Sequence, residues 1–334
     1  MRRGGVAPLP LGLGLLVAIT ALSLWSMGVG AAPIPAARLI EALADPGGQS
    51  RETLIVWTVR LPRLLAALLA GAALAGAGTI MQAVTGNPLA DPGLLGVNAG
   101  AAFAVVLVLV LTGTISGHVL VWAAFAGALL AATAVYGLGA AGRSGPTPLK
   151  LILAGVVVGT FLGAITMSLL ILDAQTFDQA RLWTAGSLKG RGMESILPVL
   201  PYFSAGLICA LLLRDQFTTL SLGEAAARGI GQNPALWRAI SALVVVLLAG
   251  SAVAVAGPVG FVGLVVPHMI RLTVGADYGR ILPLAIPAGA LLTLLADTAP
   301  RALWGNDVPL GVTLGLVGAP VFLWLARRRA GRPA

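Results

Sequence analysis

The chain has 334 residues, of which 58% are hydrophobic and only 10% charged, and its mean hydropathy is +0.96. Soluble domains carry about 25% charged residues, so the composition excludes a water-soluble globular fold. Lys and Arg number 21 against 12 Asp and Glu, a net charge of +9, and the placement of that excess decides whether nucleic acid or lipid explains it.

Apolar runs of about 20 residues recur along the whole length, enough for a helix to cross a bilayer. Ten spans are predicted, at about 9–30, 61–84, 93–112, 118–141, 149–172, 195–214, 235–256, 258–272, 281–300 and 308–326, the eighth being short. The expected fold is therefore an all-α polytopic membrane protein. Residues 1–334 form a single transmembrane domain, because no stretch between spans is long or polar enough to fold alone. Met1-Arg2-Arg3 and the run to Gly28 also fit a secretory signal peptide, with Ala31-Ala32 as small residues near a cleavage site. The run is long for that role and is read as the first span.

Placing both termini inside follows the Lys/Arg bias of the loops. Arg2, Arg3, Arg143, Lys150, Arg214, Arg228, Arg238, Arg271, Arg280, Arg327, Arg328, Arg329 and Arg332 then face the cytoplasm. The outer loops hold as many acids as bases, so the whole excess lies inside. Anionic inner-leaflet lipid accounts for it, and no nucleic acid is implied.

Several local signals follow in chain order. Arg60, Arg63 and, much later, Arg301 fall at outer ends of spans, where arginines commonly snorkel to the interface. The outer loops, about 33–58 and 173–194, each have the charges and turn residues of a short interfacial helix. Gly71, Ala75 and Gly78 line one face of the second span and allow close helix packing. Asn87-Pro88 and Asp91-Pro92 read as two cap-plus-proline helix starts. Ser144-Gly145-Pro146-Thr147-Pro148 forms an inner loop stiffened by two prolines. Cys209 lies within a span and has no partner cysteine.

A polar stretch between the sixth and seventh spans has no bilayer reason to exist. In Ser221-Leu222-Gly223-Glu224-Ala225-Ala226-Ala227-Arg228-Gly229-Ile230-Gly231 the S-x-x-E spacing reads as a capping box, and the glycines as a helix stop. Asn233-Pro234 then caps the next span. A rigid helix at the membrane surface suits a subunit driven by a partner. Gly257-Pro258 restarts a helix after a break, which is tolerated at membrane depth where backbone is buried in protein or lines a cavity. An odd offset of five spans makes any internal repeat an inverted one; Gly93-Leu94-Leu95-Gly96-Val97 and Gly260-Phe261-Val262-Gly263-Leu264 are its faint trace.

Some chemistries are excluded. No Gly-Lys pair exists, so no G-x-x-x-x-G-K-[ST] phosphate loop is present. There is no H-E-x-x-H and no G-x-S-x-G, and the spans lack the buried carboxylate relay of a proton-coupled carrier. An autonomous secondary transporter is thus the weaker alternative, and an intramembrane enzyme weaker still.

Four regions together resemble a known family: Arg60-Leu61-Pro62-Arg63 with Met81-Gln82 and Asn87 to Gly96; Phe177-Asp178, Trp183 and Gly186-Ser187-Leu188; Leu222-Gly223-Glu224 to Gly231; and Gly257 to His268 with Ala296-Asp297, Arg301, Pro309-Leu310-Gly311 and Gly318 to Phe322. From about residue 53 to 326 the chain is similar to FecCD/BtuC-type permeases, the membrane subunits of ABC importers for ferric siderophores, haem and cobalamin. The resemblance implies ten spans with an inverted repeat, a second permease subunit (homo- or heterodimer), two cytoplasmic ATP-binding subunits that hold ATP and Mg, and an extracytoplasmic substrate-binding protein. It implies no cofactor and no metal site in this chain, no enzymatic activity, and a bacterial inner-membrane location.

The resemblance also implies roles for residues. Arg60, Arg63 and Arg301 would grip carboxylates of the binding protein. Ser221, Leu222, Gly223, Glu224, Ala225, Ala226, Arg228 and Gly231, within a coupling segment at about 215–234, would meet the ATPase. Gln82, Asn87, Pro88, Ser144 and Thr147 would line or gate the path. Asp307 stands where relatives often carry a glutamate. A ferric siderophore is the favoured cargo, with haem and cobalamin as alternatives.

Overall fold

The computed structural model describes residues 8–30, 32–113, 116–141, 147–172 and 174–330. The first half contains α1 (Pro8–Gly28), α2 (Ala36–Ala44), α3 (Arg51–Ile55), α4 (Leu61–Thr85), α5 (Val97–Thr112), α6 (Gly117–Ala140) and α7 (Pro148–Leu172). A π-helical turn, Val56–Arg60, joins α3 to α4 without a break. Next come α8 (Ala174–Thr184), α9 (Met193–Ile196), α10 (Leu200–Leu212), α11 (Arg214–Ser221) and α12 (Glu224–Gly229). The chain closes with α13 (Pro234–Ala256), α14 (Val262–Val274), α15 (Tyr278–Trp304) and α16 (Leu310–Ala330).

Ten of these helices fall on the ten expected spans. Among the described residues, six helical stretches are long and apolar enough to cross a bilayer unaided: Pro8–Gly28, Arg51–Thr85, Gly117–Ala140, Leu149–Leu172, Pro234–Ala256 and Tyr278–Trp304. α5, α10 and α14 have 16, 13 and 13 residues. At about 1.5 Å per residue, α14 spans only about 20 Å, less than the hydrocarbon core. The non-helical segment 257–261 precedes it. α2 and α8 are the short helices expected in the loops at about 33–58 and 173–194.

α4 forms the axis of the bundle, enclosed by α13, α14 and α15. Lipid gives helices no hydrophobic reason to associate, so close van der Waals packing must hold them. Small residues provide it. A Cβ on Gly71 would overlap the Gly289 carbonyl and Thr293, and one on Gly78 would overlap the backbone of Gly263. Thr293 Oγ1 donates to the Ala67 carbonyl across this seam at 2.7 Å. Gly100 and Gly127 form the matching seam between α5 and α6.

The inverted repeat is visible in the contacts. α4 packs on α15 as α13 packs on α6, and α5 meets α6 and α7 as α14 meets α15 and α16. Gly96 (φ 74) and Phe261 (φ 69) occupy the matching left-handed position just before α5 and α14. Among the described residues Phe261 is the only non-glycine with positive φ, a conformation that costs about 1–2 kcal/mol. Its ring fills the notch left by Gly318 on α16.

Candidate functional site

Two polar surfaces lie at opposite ends of the bundle. At one end, the one expected to face outward, Arg60 closes the π-turn, Arg63 opens α4, and Asp297 and Arg301 stand one turn apart on α15. Arg63 grips Asp297 with Nε, 3.1 Å from both carboxylate oxygens, and with Nη2 at 2.9 Å. Its remaining edge, Nη1, donates to Asp307 at 2.7 Å. Arg301 Nη2 donates to Asp297 at 2.8 Å and to Ser26 Oγ at 3.0 Å, and Nη1 to the Val29 carbonyl at 3.1 Å. Arg60 donates to the carbonyls of Met27 and Ala32.

The three arginines thus gather from distant parts of the sequence into one cluster, but they turn inward. Arg60 is 8% exposed, Arg301 9% and Asp297 2%. Arg60 satisfies the Met27 carbonyl in the last turn of α1, which has no intrahelical partner, and Arg301 bonds the Val29 carbonyl just beyond that helix. Ser26, Asp297 as their counter-charge, and Lys189, 3.8 Å from Asp307, are site residues that sequence reasoning missed. Arg191, farther along the same outer loop, is partly buried, and desolvation lowers its pKa to about 10.

At the opposite end, the one expected to face the cytoplasm, the expected capping box does not form. Ser221 is the last residue of α11, and its hydroxyl donates to the Thr218 carbonyl at 2.6 Å. Gly223, at φ 98, turns the chain, and Glu224 begins the separate helix α12. The segment is two short helices rather than one, because Phe217 and Leu220 are buried and draw 214–221 into helix. Glu224 accepts from Arg228 and, at 3.1 Å, from Arg238 on α13. These cations, Arg238 first, hold its carboxyl below the usual range. Gln232 Nε2 donates to Gln216 Oε1 at 2.9 Å, and Gly279 N–H to Thr218 Oγ1 at 3.0 Å. The pair is thereby fixed to α13 and α15. Leu222, Ala225, Ala226 and Ile230 remain exposed, and Gly231 (φ 83) turns the chain toward α13. Asn233 caps α13 as expected, accepting from Ala235 and Leu236 N–H.

Between the two ends, Gln82 is fully buried and donates to the carbonyls of Gly263 and Leu264 at 3.3 and 3.2 Å. It ties α4 to the start of α14. Asn87-Pro88 does not begin a helix. Asn87 Oδ1 accepts from Leu89 N–H in an Asx turn, and helix resumes only where Asp91 accepts from Gly93 N–H at 2.8 Å. That second cap starts a 3-10 turn, Pro92–Leu95, ahead of α5. Burial pushes the Asp91 carboxyl up to about 6. Thr147 Oγ1 accepts from Lys150 N–H at 3.4 Å; Ser144 lies outside the described residues. Among the described residues no group of three or more His, Cys, Asp or Glu gathers as a metal site.

Comparison with known proteins gives a consistent picture. A sequence model of the FecCD transport family matches residues 16–328. The ferric enterobactin transport system permease protein FepD of Escherichia coli is 43% identical over 316 residues, 94% of this chain and 93% of its own length. The probable siderophore transport system permease protein YfiZ of Bacillus subtilis is 42% identical over 282 residues, covering 84% and 85%. Among solved structures, a metal-chelate type ABC transporter in an inward-facing conformation superposes with a TM-score of 0.83 at 27% identity, over 96% of this chain and 99% of that one. With a multi-pass helical bundle and this extent of match, the chain belongs to the FecCD transport family.

Proposed function

We propose that this chain is the permease subunit of a binding-protein-dependent ABC importer that moves a ferric siderophore across a bacterial inner membrane. The observation that carries the reading is the α11–α12 pair. α11 packs against the end of the bundle, the pair is braced by Glu224–Arg238, Gln216–Gln232 and Thr218–Gly279, and it presents exposed Leu222 and Ile230. Such a mount transmits a push without bending. Two cytoplasmic ATPase subunits, which hold the ATP and Mg, dock there, and their binding of ATP shifts an inward/outward equilibrium. This subunit performs no covalent chemistry. A second permease subunit completes the path, both termini are cytoplasmic, Asn87, Pro88 and Thr147 lie along the route, and Gln82 acts on it from behind by tying α4 to α14. The extracytoplasmic binding protein docks through its carboxylates on the cluster of Arg60, Arg63 and Arg301. The siderophore assignment is supported by the named cargoes of FepD and YfiZ.

Glu224→Lys tests the coupling. It converts two ion pairs into three adjacent cations, so α12 should detach from α13. The expected result is an inserted permease that no longer co-purifies its ATPase and no longer takes up ferric siderophore. Unimpaired ATP-driven uptake in this variant would refute the assignment, and uptake without any ATPase would indicate a secondary transporter. Competition between ferric siderophore, haem and cobalamin for uptake identifies the cargo.

A further inference from the structure

Within the outer cluster the charges divide into a buried part and an accessible part. Asp297 occupies Nε and Nη2 of Arg63, while Arg60 and Arg301 are spent on carbonyls of Met27, Ala32 and Val29. The outer edge of Arg63, Nη1, faces Asp307 at 2.7 Å. The second carboxylate oxygen of Asp307 lies 3.8 Å from Lys189 Nζ. Asp307 is 32% exposed and Lys189 61%, against 2% for Asp297. Asp307 sits in the short non-helical connection 305–309, which Gly305 enters at φ 67. It can leave without unwinding α15 or α16.

We infer that Asp307 is a built-in stand-in for a partner carboxylate. It fills a socket made by Arg63 Nη1 and Lys189 Nζ, and an acidic side chain of the docking protein displaces it. This rests on the reading that a binding protein docks on the outer face. It makes Lys189 a docking residue and Asp307 the group that sets how readily the socket opens. One carboxylate replaces another on the same two cations, so the buried Arg63–Asp297–Arg301 core need not move. In this exchange the chain gives up an ion pair about as strong as the one it gains. The contact therefore adds selectivity and speed of encounter more than affinity.

The test uses the whole transporter in lipid nanodiscs and the dye-labelled binding protein of the same system, followed by stopped flow at low ionic strength. Asp307→Asn should raise the association rate about 3–10-fold, because the two cations are then unopposed. Lys189→Gln, at an exposed position that carries no fold, should lower it, and so should Arg63→Gln. All three effects should fade in high salt. If both cation variants associate at the wild-type rate, the docking reading itself fails. If the cation variants slow association but Asp307→Asn leaves it unchanged or slows it too, Asp307 is a positioning residue and the inference is overturned.

Discussion

Asp297→Ala should be among the most damaging single changes available to this chain. The wild-type carboxylate is 2% exposed and accepts from two guanidinium groups, Arg63 through Nε and Nη2 and Arg301 through Nη2. Alanine leaves both cations in place, with Arg301 still 8% exposed and only carbonyls and hydroxyls to face. Removing one partner of a buried ion pair costs about 3–5 kcal/mol, since the surviving charge is stranded. Asp307→Ala serves as the matched control. Its carboxylate is 32% exposed, and partly exposed pairs contribute about 0–1 kcal/mol. A gap of at least about 2 kcal/mol between the variants is therefore expected. Equilibrium unfolding by SDS in mixed micelles, followed by tryptophan fluorescence, measures it. Asp297→Asn, which keeps an acceptor, should fall between the two. If Asp297→Ala and Asp307→Ala unfold within 1 kcal/mol of each other, the ion-pair core contributes nothing special and the glycine seam alone joins α4 to α15.

Gly71→Ala should cost about 2–4 kcal/mol, because the added methyl must push α15 off α4 and break the Thr293–Ala67 hydrogen bond. Gly163→Ala on α7, where a Cβ meets nothing within 4 Å, should be neutral, and equal effects in the same unfolding assay would undo the packing explanation. Asp91→Asn keeps an acceptor for Gly93 N–H and removes a charge the fold disfavours. Because the folded-state pKa of about 6 lies above the usual carboxylate value, wild type gains stability as pH falls through 6, whereas the variant does not. Relative to wild type, the variant should thus lose about 2–3 kcal/mol of advantage between pH 7.5 and pH 4; a difference independent of pH would contradict this. A C-terminal alkaline phosphatase fusion should be inactive and a fluorescent-protein fusion bright, and the reverse result would invert the topology.

The spans were legible because each is an apolar run near 20 residues, and the shortness of the eighth was legible because Gly257-Pro258 intrudes on it. The small-residue stripe of α4 was equally clear, since only close packing explains Gly71 and Gly78 on one face. The S-x-x-E signal misled for a definite reason. Its spacing marks a helix start only where the preceding chain is not helical, and burial of Phe217 and Leu220 makes it helical here. Asn87-Pro88 misled similarly, because an Asx turn and an N-cap use the same Asn oxygen. The three arginines were grouped at one end of the spans, and the structure does gather them there, but their inward orientation was not readable. It depends on Asp297, 234 residues from Arg63, and on Ser26, 275 residues from Arg301, pairings that no local pattern encodes.

The central position of α4 has a consequence for how the molecule is made. α4 inserts second, yet the helices that enclose it are α13, α14 and α15, and α15 begins about 190 residues after α4 ends. At about 5–20 residues per second, synthesis of that stretch takes about 10–40 s. Throughout that interval Gly71 lacks its partner Gly289 and Arg63 has neither aspartate. The nascent chain must therefore keep an unfinished axis in the bilayer until its last third arrives. Chains truncated before Tyr278 should be recognised as incomplete by membrane proteases, although most of their spans are already inserted.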